Sequence, residues 1–334
     1  MDVQQRIDLL IRLGQYMKSD DCKWRQVKFN AGQANGWFTG TFIEKACDSI
    51  TDQFLNREKL SVFARRYALP PENRNPKNIG LVMAGNIPLV GFHDWMCIFI
   101  TGHNAVIKAS SKDEILITHL LQMLKEWEPQ LGNQILFAPM LKGCEAYIAT
   151  GSNNSGRYFE YYFSKYPHII RSNRTSVAIL TGTESTEALD KLADDVHVYF
   201  GLGCRNVTKI YVPKGYGFVD LLKAFKKYAY FSDHHKYKNN YDYQLAIHLL
   251  NNNYYMTNGS VLLIENASFF SPISQLNFEF YTNQHLVKAS LVSKDIQCVV
   301  GDDYIPFGQA QSPALTDYAD GTDTMDFLSR LNNK

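Results

Sequence analysis

The chain has 334 residues and a formal net charge of +1, a length that outgrows one small core and suits two packed domains. Charge so near balance gives no long-range field to draw nucleic acid or an anionic membrane. The tyrosines are scattered with no basic stripe among them, which weakens a reading as a single-strand binder with a stacking groove.

From the start, Ile7, Leu9, Leu10, Leu13 and Met17 fall at the spacing of an amphipathic helix. Asp2 and Asp8 and the lack of a charged-then-apolar layout are unlike a secretory signal. Helix is expected to about residue 66, with a second run from Thr41 to Arg66, and Pro70 to Pro76 is a breaker-rich connection. The most apolar stretch, Ile87 to Ile100, contains His93 and Asp94 and is too short to span a bilayer. The six cysteines (22, 47, 97, 144, 204 and 298) form no CxxC pair. They read as reduced thiols of a cytoplasmic protein, with no zinc site and no membrane span.

Beyond the breaker, short β-rich runs alternate with helical ones. Strands are expected near Asn78–Met83, Asn104–Lys108, Gln134–Phe137, Ala146–Thr150, Ser176–Leu180, Thr208–Val212, Val261–Ile264 and Ile296–Val300, with helices such as Lys112–Trp127 and Thr186–Val196 between them. This alternation predicts an α/β fold: two Rossmann-like lobes with mostly parallel sheets, preceded by N-terminal helices. Residues 1–173 would form the helices and the first lobe, and 174–334 the second lobe with the C-terminal segment.

Ligands of such sheets sit at strand-to-loop junctions, and four junctions carry chemistry. Asn86 lies between Gly85 and Pro88, where its amide could donate to a developing oxyanion or simply form a turn. Lys108 ends a strand before Ser110 and Ser111; it suits a ribose or phosphate, though a lysine entering a turn reads the same way. Gly151, Ser152 and Gly156 form a small-residue turn before a helix, a layout that can face a phosphate; a ligandless turn fits equally well. Cys204 follows Gly201-Leu202-Gly203 and precedes Arg205, so its thiol could be approached closely beside a positive charge. A thiolate is a strong nucleophile for acyl transfer, but a lone cysteine is more commonly an inert core residue. The doublet His234-His235 falls in a tyrosine-rich stretch, Tyr228 to Tyr243, read as a polar loop.

The order and spacing of these segments resemble the aldehyde dehydrogenase superfamily, and most closely its LuxC-type acyl-CoA reductase branch. Asn86-Ile87-Pro88 is similar to the family's Asn-Phe-Pro, Lys108-Ala109-Ser110-Ser111 to its Lys-Pro-Ser-Glu, and Gly151-Ser152 with Gly156 to its Gly-Ser-x-x-x-Gly. Gly201 to Cys204 resembles the nucleophile turn, Ser268 to Pro272 the Glu-x-Phe-Gly-Pro motif, and Phe307 to Pro313 with Asp317 to Gly321 the closing segment of the LuxC-type branch. The resemblance implies Cys204 as nucleophile and an oxyanion hole of Asn86 with the Cys204 amide. It implies a nicotinamide cofactor beside Lys108, Ser110, Ser111, Gly151, Ser152, Gly156 and Phe270. The stretch Ile170 to Arg174, matching the family's deacylating glutamate, has no carboxylate. Hydrolytic release needs such a base and hydride release does not, so the resemblance implies reduction of an acyl-CoA or acyl-carrier thioester. Ser111 and Ser268 replace family acids, which suits NADPH, with NADH the other choice. A homo-oligomer is compatible with it. An aldehyde-oxidising NAD(P)-dependent dehydrogenase, a cysteine acyltransferase or acyl-carrying protein with a vestigial cleft, and a non-catalytic binding protein are the alternatives.

Overall fold

The structure, a computed structural model, describes residues 1–331. Residues 332–334 lie outside the described residues. The chain divides into two units, Met1–Asn173 together with the chain from Pro313 onward, and Arg174–Ser312.

The first unit opens with helices α1 (Val3–Met17), α2 (Cys22–Ala34), α3 (Gly40–Gln53) and α4 (Arg57–Arg66). Each begins after a residue whose side chain accepts an otherwise unpaired amide: Asp2, Asp21, Thr39 and Asn56. Asp2 and Gln5 close this reciprocally at α1. The second expected helical run is therefore two helices, parted where Asn56 caps α4. α2 has little periodicity to announce it, because only Trp24 and Ala31 are buried along it.

Next come β1 (Asn78–Val82), α5 (Phe92–Ile100), β2 (Asn104–Lys108), α6 (Glu114–Trp127), β3 (Ile135–Phe137), β4 (Ala146–Thr150), α7 (Asn153–Phe163) and β5 (His168–Arg171). The strands pair in parallel in the order β3-β2-β1-β4-β5. The chain fills one side of β1 and then returns to the other, so β1 and β4 flank the topological switch point, where α/β sheets bind ligands. α5 is buried nearly all round, from Phe92 and Trp95 to Phe99 and Ile100. A helix of that kind shows an unbroken apolar run with no period to identify it.

One expected boundary is corrected. The C-terminal segment, assigned by sequence to the second lobe, belongs to the first unit. Leu315, Tyr318, Met325, Leu328 and Leu331 join the core around α5 and the N-terminal helices, the last three on the helix Thr324–Leu331. Arg171, fully buried, adds a polar tie: its guanidinium pairs with Asp94 of α5 and donates to the Thr324 hydroxyl at 2.7 Å and the Ala319 carbonyl at 3.3 Å.

The second unit contains β6 (Thr175–Ile179), α8 (Thr186–His197), β7 (Val207–Pro213), α9 (Val219–Ala224), α10 (His235–Leu250), β8 (Met256–Thr257), β9 (Leu262–Glu265), β10 (Gln275–Tyr281), α11 (Gln284–Ser290) and β11 (Ile296–Val300). Its sheet runs β11-β6-β7-β10-β9-β8, parallel except for β8. The tyrosine-rich stretch read as a loop is helical. A 3-10 segment, Phe225–Asp233, leads into α10, and the His234 ring caps α10 by accepting the Tyr237 amide at 3.3 Å. β10 is masked in sequence by Asn277 and Glu279. Both polar side chains are used: Asn277 donates to the Ser268 and Phe270 carbonyls, each at 3.0 Å, and Glu279 pairs with buried Lys209 at 2.6 Å.

Candidate active site

The first unit gathers its candidate residues at the carboxyl ends of β2, β1 and β4, three adjacent strands. Lys108 ends β2 opposite Val82 of β1 and is exposed. The loop after β1 passes close to Ser110, because a Cβ at Gly85 would lie 2.6 Å from the Ser110 Oγ. That approach explains the glycine. Asn86 stands exposed at the loop's tip, and the loop closes at Leu89, whose backbone is left-handed at φ 57°.

Asp113 holds that loop. One carboxylate oxygen accepts the Leu89 amide at 2.6 Å, and the Asp113 amide donates to the Ser110 carbonyl at 2.9 Å. Its other oxygen is buried with no partner among the described residues. Burial pushes the carboxyl up to about 8, with the Leu89 amide opposing this only in part. Between the unfolded value near 4 and about 8, the folded chain keeps a proton that the unfolded chain has lost. Stability therefore falls as pH rises through that window and levels off above it. Asp113→Asn keeps an acceptor for Leu89 and removes the ionisation. Thermal melts from about pH 6 to about pH 9 are expected to cost the wild type about 2–3 kcal/mol through this group and to spare the variant. Parallel pH curves for both proteins would refute the assignment.

Beyond β4, Ser152 caps α7, its Oγ accepting the Ser155 amide at 3.3 Å. Gly156 lies inside the helix rather than in the turn, with its amide donated to the Ser152 carbonyl at 2.8 Å. The first unit thus offers an exposed cation at Lys108, the hydroxyls of Ser110, Ser111 and Ser152, and a helix start after Gly151. Such a set fits the phosphates and ribose of a dinucleotide.

Cys204 lies in the second unit, at the amino end of β7. The carboxyl-end rule that locates the first set does not apply to it. Tyr199 and Phe200 are left-handed at φ 57° and 56°, and Gly201 continues at 75°. Two such non-glycine residues in succession cost about 1–3 kcal/mol each and persist only where their surroundings enforce them. Buried Asn206 enforces them. Its Nδ2 donates to the carbonyls of Val198 (2.8 Å), Asp195 (3.1 Å) and Val196 (3.3 Å), and its Oδ1 accepts the Gly203 amide at 2.8 Å. Phe200 packs its ring 4.4 Å from Phe231 and 4.5 Å from His234.

The result is a half-buried thiol on a rigid turn. Ser176, fully buried on β6, donates to the Cys204 carbonyl at 3.0 Å and lies 3.0 Å from the Cys298 sulfur. Asp195 accepts the Gly308 amide at 2.6 Å and the Ala310 amide at 3.0 Å, while Arg205 donates to the Ala310 carbonyl at 3.4 Å. The glycine-bearing loop near the chain's end is therefore fastened beside the cysteine turn. The loop of Phe270 reaches the same amino end of β7, since Thr208 donates to the Phe269 carbonyl at 2.6 Å.

Of the expected site residues, Asn86, Lys108, Ser110, Ser111, Gly151, Ser152 and Gly156 belong to the first unit, and Cys204 and Phe270 to the second. Asn206, Asp195, Ser176 and Asp113 were missed by sequence reasoning. All act on backbone groups, which leave no side-chain pattern to read. Among the described residues, no His, Cys, Asp or Glu cluster is placed to hold a metal ion, and no helix is long and apolar enough to cross a membrane.

Neither a family model nor a curated protein matches the chain. Solved structures do. Aldehyde dehydrogenase 21 from Physcomitrella patens, in complex with its product succinate, superposes with a TM-score of 0.67 at 13% identity, covering 91% of this chain and 74% of that one. The chain has the aldehyde dehydrogenase fold. Mycobacterium tuberculosis aldehyde dehydrogenase complexed with NAD+ gives 0.63 at 12% identity, covering 86% and 70%. Betaine aldehyde dehydrogenase from Staphylococcus aureus gives 0.64 at 11%, covering 90% and 71%. Identities this low carry the aldehyde dehydrogenase fold and nothing finer, and each of these three chains is longer than this one.

Proposed function

We propose that the chain is a nicotinamide-dependent oxidoreductase of the aldehyde dehydrogenase type that reduces an acyl thioester, acyl-CoA or acyl-carrier bound, to the aldehyde through an acyl-enzyme on Cys204. The observation that carries this reading is the Cys204 turn: a half-buried thiol on a left-handed backbone held by Asn206. Strain fixed in this way beside a nucleophilic side chain is a feature of reacting sites.

The Cys204 thiolate attacks the thioester carbonyl, and its charge passes to the carbonyl oxygen. The Asn86 amide and the Cys204 backbone N–H are assigned to stabilise that oxyanion. Collapse breaks the bond to the donor sulfur, which leaves as a thiolate, and Cys204 keeps the acyl group. Lys108, Ser110, Ser111, Gly151, Ser152, Gly156 and Phe270 would hold NADPH or NADH, which supplies a hydride when bound. The stretch Ile170 to Arg174 supports reduction over hydrolysis. It offers no carboxylate to activate water, and its Arg171 is locked onto Asp94.

Incubation with an acyl-CoA and no nicotinamide, followed by mass spectrometry, is expected to find the acyl mass on the peptide containing Cys204. Addition of NADPH or NADH should then discharge it as aldehyde. No adduct on Cys204 would overturn the proposal. The second reading, aldehyde oxidation, draws on the neighbour that holds succinate as product; it predicts steady acid formation from aldehyde and NAD(P)+ without CoA.

A further inference from the structure

The outer face of α9 and of the 3-10 segment that continues it is a basic stripe. Lys223, Lys226, Lys227 and Tyr230 are exposed along it, over a buried side made by Phe225, Tyr228 and Phe231. Three lysines on one helical face stand out in a chain of net charge +1. Exposed Asp220 and Asp233 close the stripe at its two ends, and from Lys223 to Tyr230 it runs for about 10 Å, roughly two helical turns. Lys227 pairs with Asp194 at 2.6 Å, whereas Lys223 and Lys226 form no ion pair among the described residues. The buried side of the same segment packs on the cysteine turn. Tyr228 stacks on His197 with ring centroids 4.9 Å apart and donates to Asp194 at 2.7 Å. Phe231 lies 4.4 Å from the ring of Phe200, one of the left-handed residues before Cys204.

We propose that this stripe docks the acyl donor in carrier-protein form: a small acidic protein that bears the acyl group on a phosphopantetheine arm. The identity of the partner rests on the thioester chemistry proposed for Cys204. Charge complementarity selects it among anionic occupants. Lysines on the convex side of a helix diverge, so they meet carboxylates spread along a facing helix and do not converge on one phosphate as a free coenzyme A site requires. Tyr230 adds a ring that can be buried at the contact while its hydroxyl stays paired. The acids at both ends oppose the continuous negative field of a membrane or a nucleic acid and confine the contact to the size of one helix. A contact this small exchanges quickly and weakens with salt, which suits a donor that must leave after each turnover. A carrier docked here is one layer of rings from the strained turn, and its flexible arm would take the thioester from one to the other.

Calorimetric titration with a holo-acyl carrier protein, which has the arm and no acyl group, tests docking apart from chemistry. Binding is expected at about 25 mM salt and should weaken about tenfold or more at about 200 mM. Lys223→Glu/Lys226→Glu should lose about 100-fold in affinity with an unchanged circular dichroism spectrum. Lys45→Glu/Lys142→Glu makes the same change in net charge at two exposed positions of the first unit and should bind like the wild type. In turnover, the first pair should raise KM for an acyl-carrier substrate and leave KM for the matching acyl-CoA as it was. No binding at low salt, undiminished binding by K223E/K226E, an equal loss in the control pair, a matched rise in acyl-CoA KM, or capture of anionic vesicles in place of the carrier would each overturn the proposal. A Cys204 adduct formed from acyl-CoA without carrier binding sinks this inference alone. Carrier binding at the stripe without any adduct sinks the chemistry and leaves the docking surface standing.

Discussion

Cys204→Ala is expected to lower acyl-CoA-dependent NADPH oxidation by about 1,000-fold or more, while the protein melts within a degree or two of the wild type. On the proposed mechanism activity falls because no other group named in the turn would hold the acyl chain covalently. Ser176 is buried with its hydroxyl on the Cys204 carbonyl, and Cys298 lies beyond it on β11. Stability holds because the thiol is half exposed, so the change leaves no void comparable to a core truncation. Cys204→Ser sharpens the test. It restores the size of the nucleophile but not its acidity, so the low rate should persist. Retention of wild-type turnover by the alanine variant would remove Cys204 from the mechanism.

Asn206→Ala is expected to do the opposite kind of damage, lowering stability by about 3 kcal/mol and activity along with it. Alanine would strand the Gly203 amide and strip three carbonyls of their donor in a place with no solvent exposure. The left-handed residues Tyr199 and Phe200 would then relax toward ordinary backbone, moving the sulfur. Asn206→Asp separates the two halves of the role. It keeps an acceptor for Gly203 but turns an oxygen toward three carbonyl oxygens, so it should be at least as damaging as alanine. Urea melts and initial rates on the same preparations read both effects. An alanine variant that melts with the wild type would mean that the turn is held by its buried aromatics and not by Asn206.

The sheets were largely legible in the sequence, because β1, β2, β4, β7 and β11 are short β-rich runs between helical ones, and that alternation is what a parallel sheet requires. β10 escaped because Asn277 and Glu279 interrupt it for the sake of contacts with distant residues. α5 escaped through excess burial, having no polar face to set a period. The chemical residues divide in the same way. Cys204 and Asn86 could be nominated because glycines and proline surround them and motif order ties them together. Asn206 and Asp195 could not, since their partners are carbonyls and amides that any residue possesses. The C-terminal segment was misassigned because contiguity in sequence is the natural default, and only tertiary packing reveals that Tyr318, Met325 and Leu328 return to the first unit.

That return has a consequence for how the molecule can be made. The core around α5 is laid down early in synthesis yet stays open until Met325 and Leu328 emerge, and the Asp195 carboxylate waits for the amides of Gly308 and Ala310. Each unit is thus closed by a segment distant in sequence from the rest of its contacts, Gly308 and Ala310 in one and Met325 and Leu328 in the other. A ribosome-bound intermediate lacking residues 308–328 would hold two nearly finished units, each missing one closing piece.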